Sequence, residues 1–304
     1  MPELPEVQTT VDGLNKTVKG RKIIDVWTDY KSSHKMHSQS IKSPAYFKQF
    51  KKKIIGAKIV KAERRAKNIL IKLSNNETIL IHMKMTGHLM YGKYSYEKKG
   101  NTWKAADKGP LTDPFNQFLH VVFSLDKGQL AFSDMRKFAK VSFIETGRLE
   151  ESLHLKNLGP EPLDAKFTYP LFKERLLKKP KGKIKQALMD QSVISGIGNI
   201  YSDEILWRAN VHPLSVVRKI PEANLKLIFK ATKVTLFKGI DFGGDSTSDY
   251  RNIFGERGQF QANHNAYQMH KKKCKKPGCP GVLERITVGG RSAHYCPVHQ
   301  TLFS

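Results

Sequence analysis

Apolar residues recur at spacings of three and four along the start of the chain: Leu4, Val7, Val11, Leu14 and Val18, followed by Gly20. This period predicts a helix over 3–19, stopped by the glycine. From Lys22 to about Ile144 the pattern shortens to β-rich runs, "KIIDVWTD", "KIIGAKIV", "NILIKLS", "TILIHM", "HVVFSL" and "QLAFSD". Several such strands separated by turn signals predict a sandwich or flattened barrel with the first helix packed on it. Residues 91–118 interrupt the pattern. They are too polar and too long for an ordinary hairpin connection and read as an inserted surface excursion of unassigned structure.

The glycine and prolines of "HLKNLGPEPLD" mark an interdomain linker at 154–164. Helical patterns follow in "TYPLFKERLLKK", "KIKQALMDQ", "NIYSDEILWRA" and "PEANLKLIFKATKVTLFKG", the last with Pro221 in its first turn and Gly239 at its end. A Gly/Ser/Asp-rich loop over 241–259 leads to a cysteine-bearing tail. The expected division is 2–153, the linker 154–164, 165–262 and 263–304, an α+β multidomain chain without internal repeats.

Charge narrows the function. The 304 residues include 53 Lys and Arg against 27 Asp and Glu, a formal net charge of +26. Such an excess repels itself in a compact chain unless a polyanion relieves it, so nucleic acid is the leading partner and an anionic membrane surface the second. No apolar run approaches the roughly 18 residues of a membrane span, and the acidic start does not resemble a signal peptide. A cytoplasmic, nucleoid-associated location is expected if the source is prokaryotic. All three cysteines lie in the tail, an odd count that favours a metal site over a disulfide framework.

Three groups of residues carry chemistry. Cys274 and Cys279 are separated from Cys296 and His299 by sixteen residues containing "VGGR", which suits two ligand pairs on a two-stranded ribbon around one structural Zn²⁺. His294 is the nearby competitor for the fourth position. In "SGIGNIYSDE", Gly196 and Gly198 permit close backbone approach and Asn199 can cap the next helix, either as ordinary helix punctuation or as a phosphate grip. At the amino terminus, loss of Met1 would leave Pro2 as an α-amine, which titrates near 8 where lysine titrates near 10.4 and is therefore the better nucleophile at neutral pH. Glu3 and Glu6 set two carboxylates beside that nitrogen for acid–base work, or simply favour the helix amino terminus through its dipole.

Together these segments resemble the formamidopyrimidine-DNA glycosylase and endonuclease VIII family. "PELPEV" matches its amino terminus, "ERRAKNILIKL" its lysine-bearing strand, and "HMKMTGHL" and "DMRKF" its helix-probing loops. "LGPEPL" matches its linker, "MDQSVISGIGNIYSDEILWRANVHP" its helix-two-turn-helix and "GGRSAHYC" its zinc-finger hairpin. The resemblance implies an amino-terminal helix with a β-sandwich, a helix-two-turn-helix domain and a carboxy-terminal β-hairpin zinc finger. It implies a base-excision repair enzyme, a bifunctional glycosylase and lyase acting as a monomer on duplex DNA with oxidised bases or abasic sites.

Carried over by position, the resemblance makes Pro2 the nucleophile, Glu3 the general acid, Glu6 a supporting carboxylate and Lys67 a phosphate-reaching lysine that assists elimination. Arg291 becomes the finger's phosphate grip, with His82, Lys185, Asn199 and Tyr267 as further phosphate contacts. A base must leave the duplex before its glycosidic bond can be reached, and Met85, Arg136 and Phe138 correspond to the side chains that fill the hole. "GGDSTSDYRNIFGERGQFQ" resembles the lesion-capping loop of the formamidopyrimidine branch, which favours 8-oxoguanine and formamidopyrimidines over oxidised pyrimidines.

The chain departs from the family pattern in several places. His299 stands where a fourth cysteine is usual, and the first cysteine pair is spaced by four residues where two are usual. Met135, Lys137 and Ala139 replace Pro, Arg and Gly of the "DPRRFG" loop. The insertion at 91–118 offers Lys, Tyr and Trp side chains that would extend the DNA footprint. The rival readings are an endonuclease VIII-like glycosylase for pyrimidines and a non-catalytic damaged-DNA-binding protein.

Overall fold

A computed structural model describes residues 1–152 and 154–304, with the side chain of Met36 set aside. Leu153, the expected end of the first domain, lies outside the described residues. Two compact units form: residues 1–156 with 242–259, and residues 157–241 with 260–304.

The first unit opens with helix α1, Leu4–Thr17, whose Leu4, Val7, Val11 and Leu14 are buried. The apolar period extends beyond the helix because Val18, its C-cap, is also buried. Strand β1 (Ile23–Thr28) and helix α2 (Pro44–Ile54) follow, then β2 (Ile59–Arg65), β3 (Asn68–Leu73) and β4 (Glu77–His82). Next come β5 (His88–Gly92), β6 (Tyr94–Glu97), β7 (Thr102–Ala105), β8 (Leu119–Leu125), β9 (Gln129–Ser133) and β10 (Lys140–Glu145). Two four-stranded antiparallel sheets result, ordered β1-β8-β9-β5 and β10-β4-β3-β2. Val26, Val121, Phe123 and Phe132 of one share a core with Ile69, Ile71, Ile79, Ile81 and Val141 of the other, the arrangement of a sandwich. Asn15 docks α1 onto β2 by donating to Ala62 O at 2.9 Å and accepting from Ala62 N at 2.8 Å.

The 91–118 insertion contains the hairpin β6–β7, paired Tyr96 to Trp103. Its polar count hides its aromatic rings. Trp103 and Tyr96 close edge-on against Trp27 of β1, at centroid distances of 6.4 and 6.2 Å. Trp27, Trp103 and Leu111 pack on Met90, Leu119, Val122 and Ala131, the face of the sheet opposite the core. Both faces of β8 are therefore buried, which explains why "HVVF" reads as a continuous apolar run and not as an alternation.

Residues 242–259 belong by packing to this same unit, whereas the sequence reading places them in 165–262. Ile253 enters the sandwich core, and its carbonyl accepts Tyr91 N–H at 2.7 Å. Long-range packing of one apolar residue in a Gly/Ser-rich loop is invisible to local composition.

The second unit comprises α3 (Tyr169–Leu177), α4 (Ile184–Met189), α5 (Asn199–Arg208), α6 (Glu222–Asp241) and the hairpin of β11 (Glu284–Val288) and β12 (Arg291–Tyr295). The connection from α4 to α5 makes two turns around Gln191, which accepts Gly196 N–H and donates to the carbonyls of Met189 and Ile197. Gly239 lies within α6 and does not end it. A Cβ there would stand 2.5 Å from the Tyr201 ring, so the glycine permits α6 to approach α5.

Candidate functional site

The amino terminus of α1 is held from several directions. Pro2, Glu3 and Glu6 are buried, while Met1 is exposed. Glu6 Oε2 accepts Glu3 N–H at 2.7 Å, and Glu6 Oε1 accepts Asp245 N–H at 2.8 Å. Tyr250 adds a hydroxyl donated to Glu6 O at 3.0 Å. A carboxylate with both oxygens engaged by backbone donors acts as an anionic brace, and the Glu3 carboxylate in turn accepts the Glu6 backbone N–H, so the two acids close a reciprocal capping box. Lys67 follows Ala66, whose φ of +55° turns the chain between β2 and β3.

His82, at the end of β4, accepts Lys84 N–H on Nδ1 at 3.0 Å. Burial, then the neighbouring Lys84 and Lys67, push its pKa down to about 3. The ring is therefore neutral with its proton on Nε2, a hydrogen-bond donor suited to a phosphate oxygen.

Two loops of the sandwich present the proposed hole-filling side chains. Met85 is half-buried, and Arg136 and Phe138 are exposed. The Arg136 guanidinium lies 4.6 Å from the centre of the Phe138 ring, which gives this pair a defined pose despite the replaced neighbours. Lys137 takes φ +53°, and its ammonium meets Asp29 at 3.1 Å. Phe138 is 52 % exposed, which no core residue of this size would be.

In the second unit, Gly198 is the N-cap of α5 and Asn199 the first helical residue, one position later than a capping role requires. The glycine takes extended backbone there, and the helix begins behind it. Lys185 does not stand as a phosphate contact. Its side chain is fully buried, and its ammonium donates to Asp203 Oδ1 and, at 3.2 Å, to Ser202 Oγ. Asp203 Oδ2 accepts His294 N–H at 3.0 Å and faces His294 Nδ1 at 3.0 Å. A buried carboxylate requires such partners, and here they tie α4, α5 and β12 together. Neighbouring Glu204 accepts the backbone N–H groups of Asn265, Ala266 and Tyr267 at 2.8–3.0 Å, which fixes the loop carrying Tyr267. Asp203 and Glu204 are positioning residues that the sequence reading does not single out; two adjacent acids directly before the apolar Ile205–Leu206–Trp207 run were the available signal. Arg291 is exposed beside the Gly289–Gly290 turn, both glycines at positive φ, as a two-residue hairpin loop requires.

Cys274, Cys279, Cys296 and His299 bring their ligand atoms within 4.8 Å of one another, a set that could hold a metal ion. His299 faces Trp207 O through Nε2 at 3.2 Å, so that nitrogen donates and Nδ1 is left with its lone pair toward the sulfurs. This is the tautomer a metal-binding imidazole needs. Lys276 N–H donates to Cys274 Sγ and Gly281 N–H to Cys279 Sγ, both at 3.4 Å, and the Gly281 bond holds the Cys279 thiol pKa down. His294, engaged with Asp203, is excluded from the set.

Comparison with known proteins places the chain. The family model described as the formamidopyrimidine-DNA glycosylase N-terminal domain matches residues 1–141, and that of the formamidopyrimidine-DNA glycosylase H2TH domain matches 158–251. The chain belongs to this family. It is accordingly a DNA glycosylase of base-excision repair. The formamidopyrimidine-DNA glycosylase of Herpetosiphon aurantiacus is 36% identical over 305 residues, covering 99% of this chain and 100% of the relative. That of Bacillus subtilis is 36% identical over 303 residues, with 99% of each chain covered. Among solved structures, the complex of the Lactococcus lactis glycosylase with DNA containing an abasic site superposes with a TM-score of 0.81 at 30% identity, over 98% of this chain and 99% of that one. No helix among the described residues of this glycosylase is long and apolar enough to cross a membrane.

Proposed function

We propose that this glycosylase removes 8-oxoguanine and formamidopyrimidines from duplex DNA and then cleaves the strand, with Pro2 as nucleophile. The observation that carries the reading is the doubly held Glu6 carboxylate, which fixes Glu3 and the residues before it against residues 242–259. Once Met1 is removed, the neutral Pro2 nitrogen attacks C1′, the bond from C1′ to the damaged base breaks with its electron pair going to the base, and the proton lost from the amine ends on the departing base. Glu3 gives a proton to the ring oxygen as the sugar opens, leaving a cationic iminium. The iminium acidifies C2′. Loss of a proton there expels the 3′-phosphate by β-elimination, and a second elimination expels the 5′-phosphate.

Lys67 would reach phosphate and assist these eliminations. Arg291, Asn199, Tyr267 and the Nε2–H of His82 are phosphate contacts in this reading, and Lys185 supports them from behind. Met85, Arg136 and Phe138 fill the space left by the extruded base. Cys274, Cys279, Cys296 and His299 would hold one Zn²⁺, whose role is to fold the hairpin that carries Arg291.

Borohydride reduction on 8-oxoguanine DNA tests the assignment. The processed protein should be trapped covalently, and Pro2→Gly should lose most of the adduct. Equal yields from both proteins would reject Pro2. Oxidised pyrimidines are a second lesion class, favoured by the structure of the wild-type Lactococcus lactis relative with DNA containing an oxidised pyrimidine. Side-by-side excision of 8-oxoguanine opposite cytosine and thymine glycol opposite adenine separates the two.

A further inference from the structure

The second half of the insertion, 110–118, meets residues 242–259 through side chains whose hydrogen-bonding capacity is used there. Asn116 is 1 % exposed and sits at the centre. Its Oδ1 accepts His88 Nε2–H at 2.8 Å, and its Nδ2 donates to Pro110 O at 2.8 Å and Gly255 O at 3.0 Å. His88 is wholly buried, which lowers its pKa, and its Nδ1 faces Thr86 O at 3.3 Å, so the ring is held from both sides.

A second contact lies beside it. Arg251, 3 % exposed in its side chain, donates Nε–H to Asp113 Oδ2 at 3.1 Å and stacks 4.8 Å from the Phe115 ring centre. Its Nη1 donates to the carbonyls of Ser248 and Tyr250. The approach is too close for any side chain at Gly255, where a Cβ would stand 2.9 Å from both Asn116 Nδ2 and Pro110. At its other end the same segment grips Glu6 through Asp245 N–H and the Tyr250 hydroxyl.

We propose that residues 110–118 are a positioning clamp for 242–259: Asn116 and Asp113 hold that segment in the conformation in which it covers a damaged base beside Glu6. This rests on the reading of 242–259 as the lesion-capping loop. Base excision then depends on the clamp, because a loosened loop must be ordered on each damaged base. Cleavage at a site that has already lost its base depends on it far less, because nothing remains there to cover and Glu6 still accepts Glu3 N–H within the first turn of α1. Asn116 and Asp113 touch no reacting atom in this scheme. They are specificity-determining positioning residues supplied by the insertion.

The test uses the full-length, processed protein with Asn116→Ala and the milder Asp113→Asn. Three quantities are read: single-turnover excision of 8-oxoguanine, cleavage of a preformed abasic site, and amide hydrogen exchange over 245–258. Excision should fall about tenfold, as expected for removing one buried hydrogen bond to a charged or fully used partner. Abasic cleavage should stay within about twofold, and exchange over 250–257 should quicken in both variants. Asp113→Asn keeps the clamp testable should Asn116→Ala fail to fold. Equal loss on both substrates, or unchanged excision with unchanged exchange, overturns the clamp. Should the parent protein cleave abasic DNA yet excise no 8-oxoguanine, the lesion reading fails by itself. The exchange measurement then decides the clamp, faster exchange upholding it and unchanged exchange rejecting it.

Discussion

Asp134 Oδ1 accepts the hydroxyl of Thr86, and Thr86 Oγ1 in turn accepts Arg136 N–H at 3.1 Å. Asp134 Oδ2 takes Ala139 N–H at 2.8 Å and the Tyr30 hydroxyl at 3.3 Å. One fully buried carboxylate thus joins the loop bearing Met85 to the loop bearing Arg136 and Phe138. Three exposed or half-exposed side chains acquire a fixed spacing from an acid that no ligand would touch.

Asp134→Asn keeps the volume but turns one acceptor into a donor that faces other donors. Stability should fall by about 1–3 kcal/mol, the cost of an unsatisfied buried group. Lesion excision should fall with it even at low temperature, where the variant remains folded. Urea unfolding read alongside single-turnover excision checks both, and a variant as stable and active as the parent would remove Asp134 from this role.

Phe138→Ala separates function from folding. With half its surface in water, the ring contributes little to the core, so the unfolding free energy should change by no more than about 0.5 kcal/mol. Excision of 8-oxoguanine should drop by an order of magnitude or more, because unstacking the base is no longer compensated. A large loss of stability with unchanged excision would show that Phe138 is a packing residue.

His82 makes stability depend on pH in a defined direction. Its pKa in the fold is held down to about 3, whereas an unfolded histidine titrates near 6.5. Between those values the unfolded chain binds a proton that the folded chain refuses, so this residue's contribution weakens as pH falls from about 6.5 towards 3 and is flat above. His82→Gln should reduce the slope of unfolding free energy against pH within that window and leave it unchanged above pH 7. Denaturant melts at pH 4.5, 5.5 and 7.5 suffice, and parallel curves for the two proteins would contradict the assignment.

The Cys274, Cys279, Cys296 and His299 set predicts metal-dependent stability. A strong chelator should remove one metal ion per chain, lower the melting temperature and weaken DNA binding, since the hairpin carrying Arg291 loses its cross-link. His299→Cys should retain the metal and His299→Ala should lose it, as read by elemental quantification. A chain that melts identically before and after chelation would show that the four side chains meet without an ion.

Local pattern by itself determined much of this protein. The apolar period of three and four identified α1, the short β-branched runs identified the sandwich strands, and the spacing of Cys274, Cys279, Cys296 and His299 marked four side chains that meet as a set able to hold a metal ion, because each signal lies in residues close together in the chain. The order of motifs from "PELPEV" to "GGRSAHYC" carried the family. Tertiary structure alone decided three matters. Lys185 turns inward because Asp203, eighteen positions away, needs a buried cation. The insertion folds because Trp27 offers its rings a surface. Residues 242–259 join the sandwich because Ile253 finds the core and Arg251 finds Asp113. Each depends on partners whose separation along the chain bears no relation to their separation in space, and neither composition nor period encodes that.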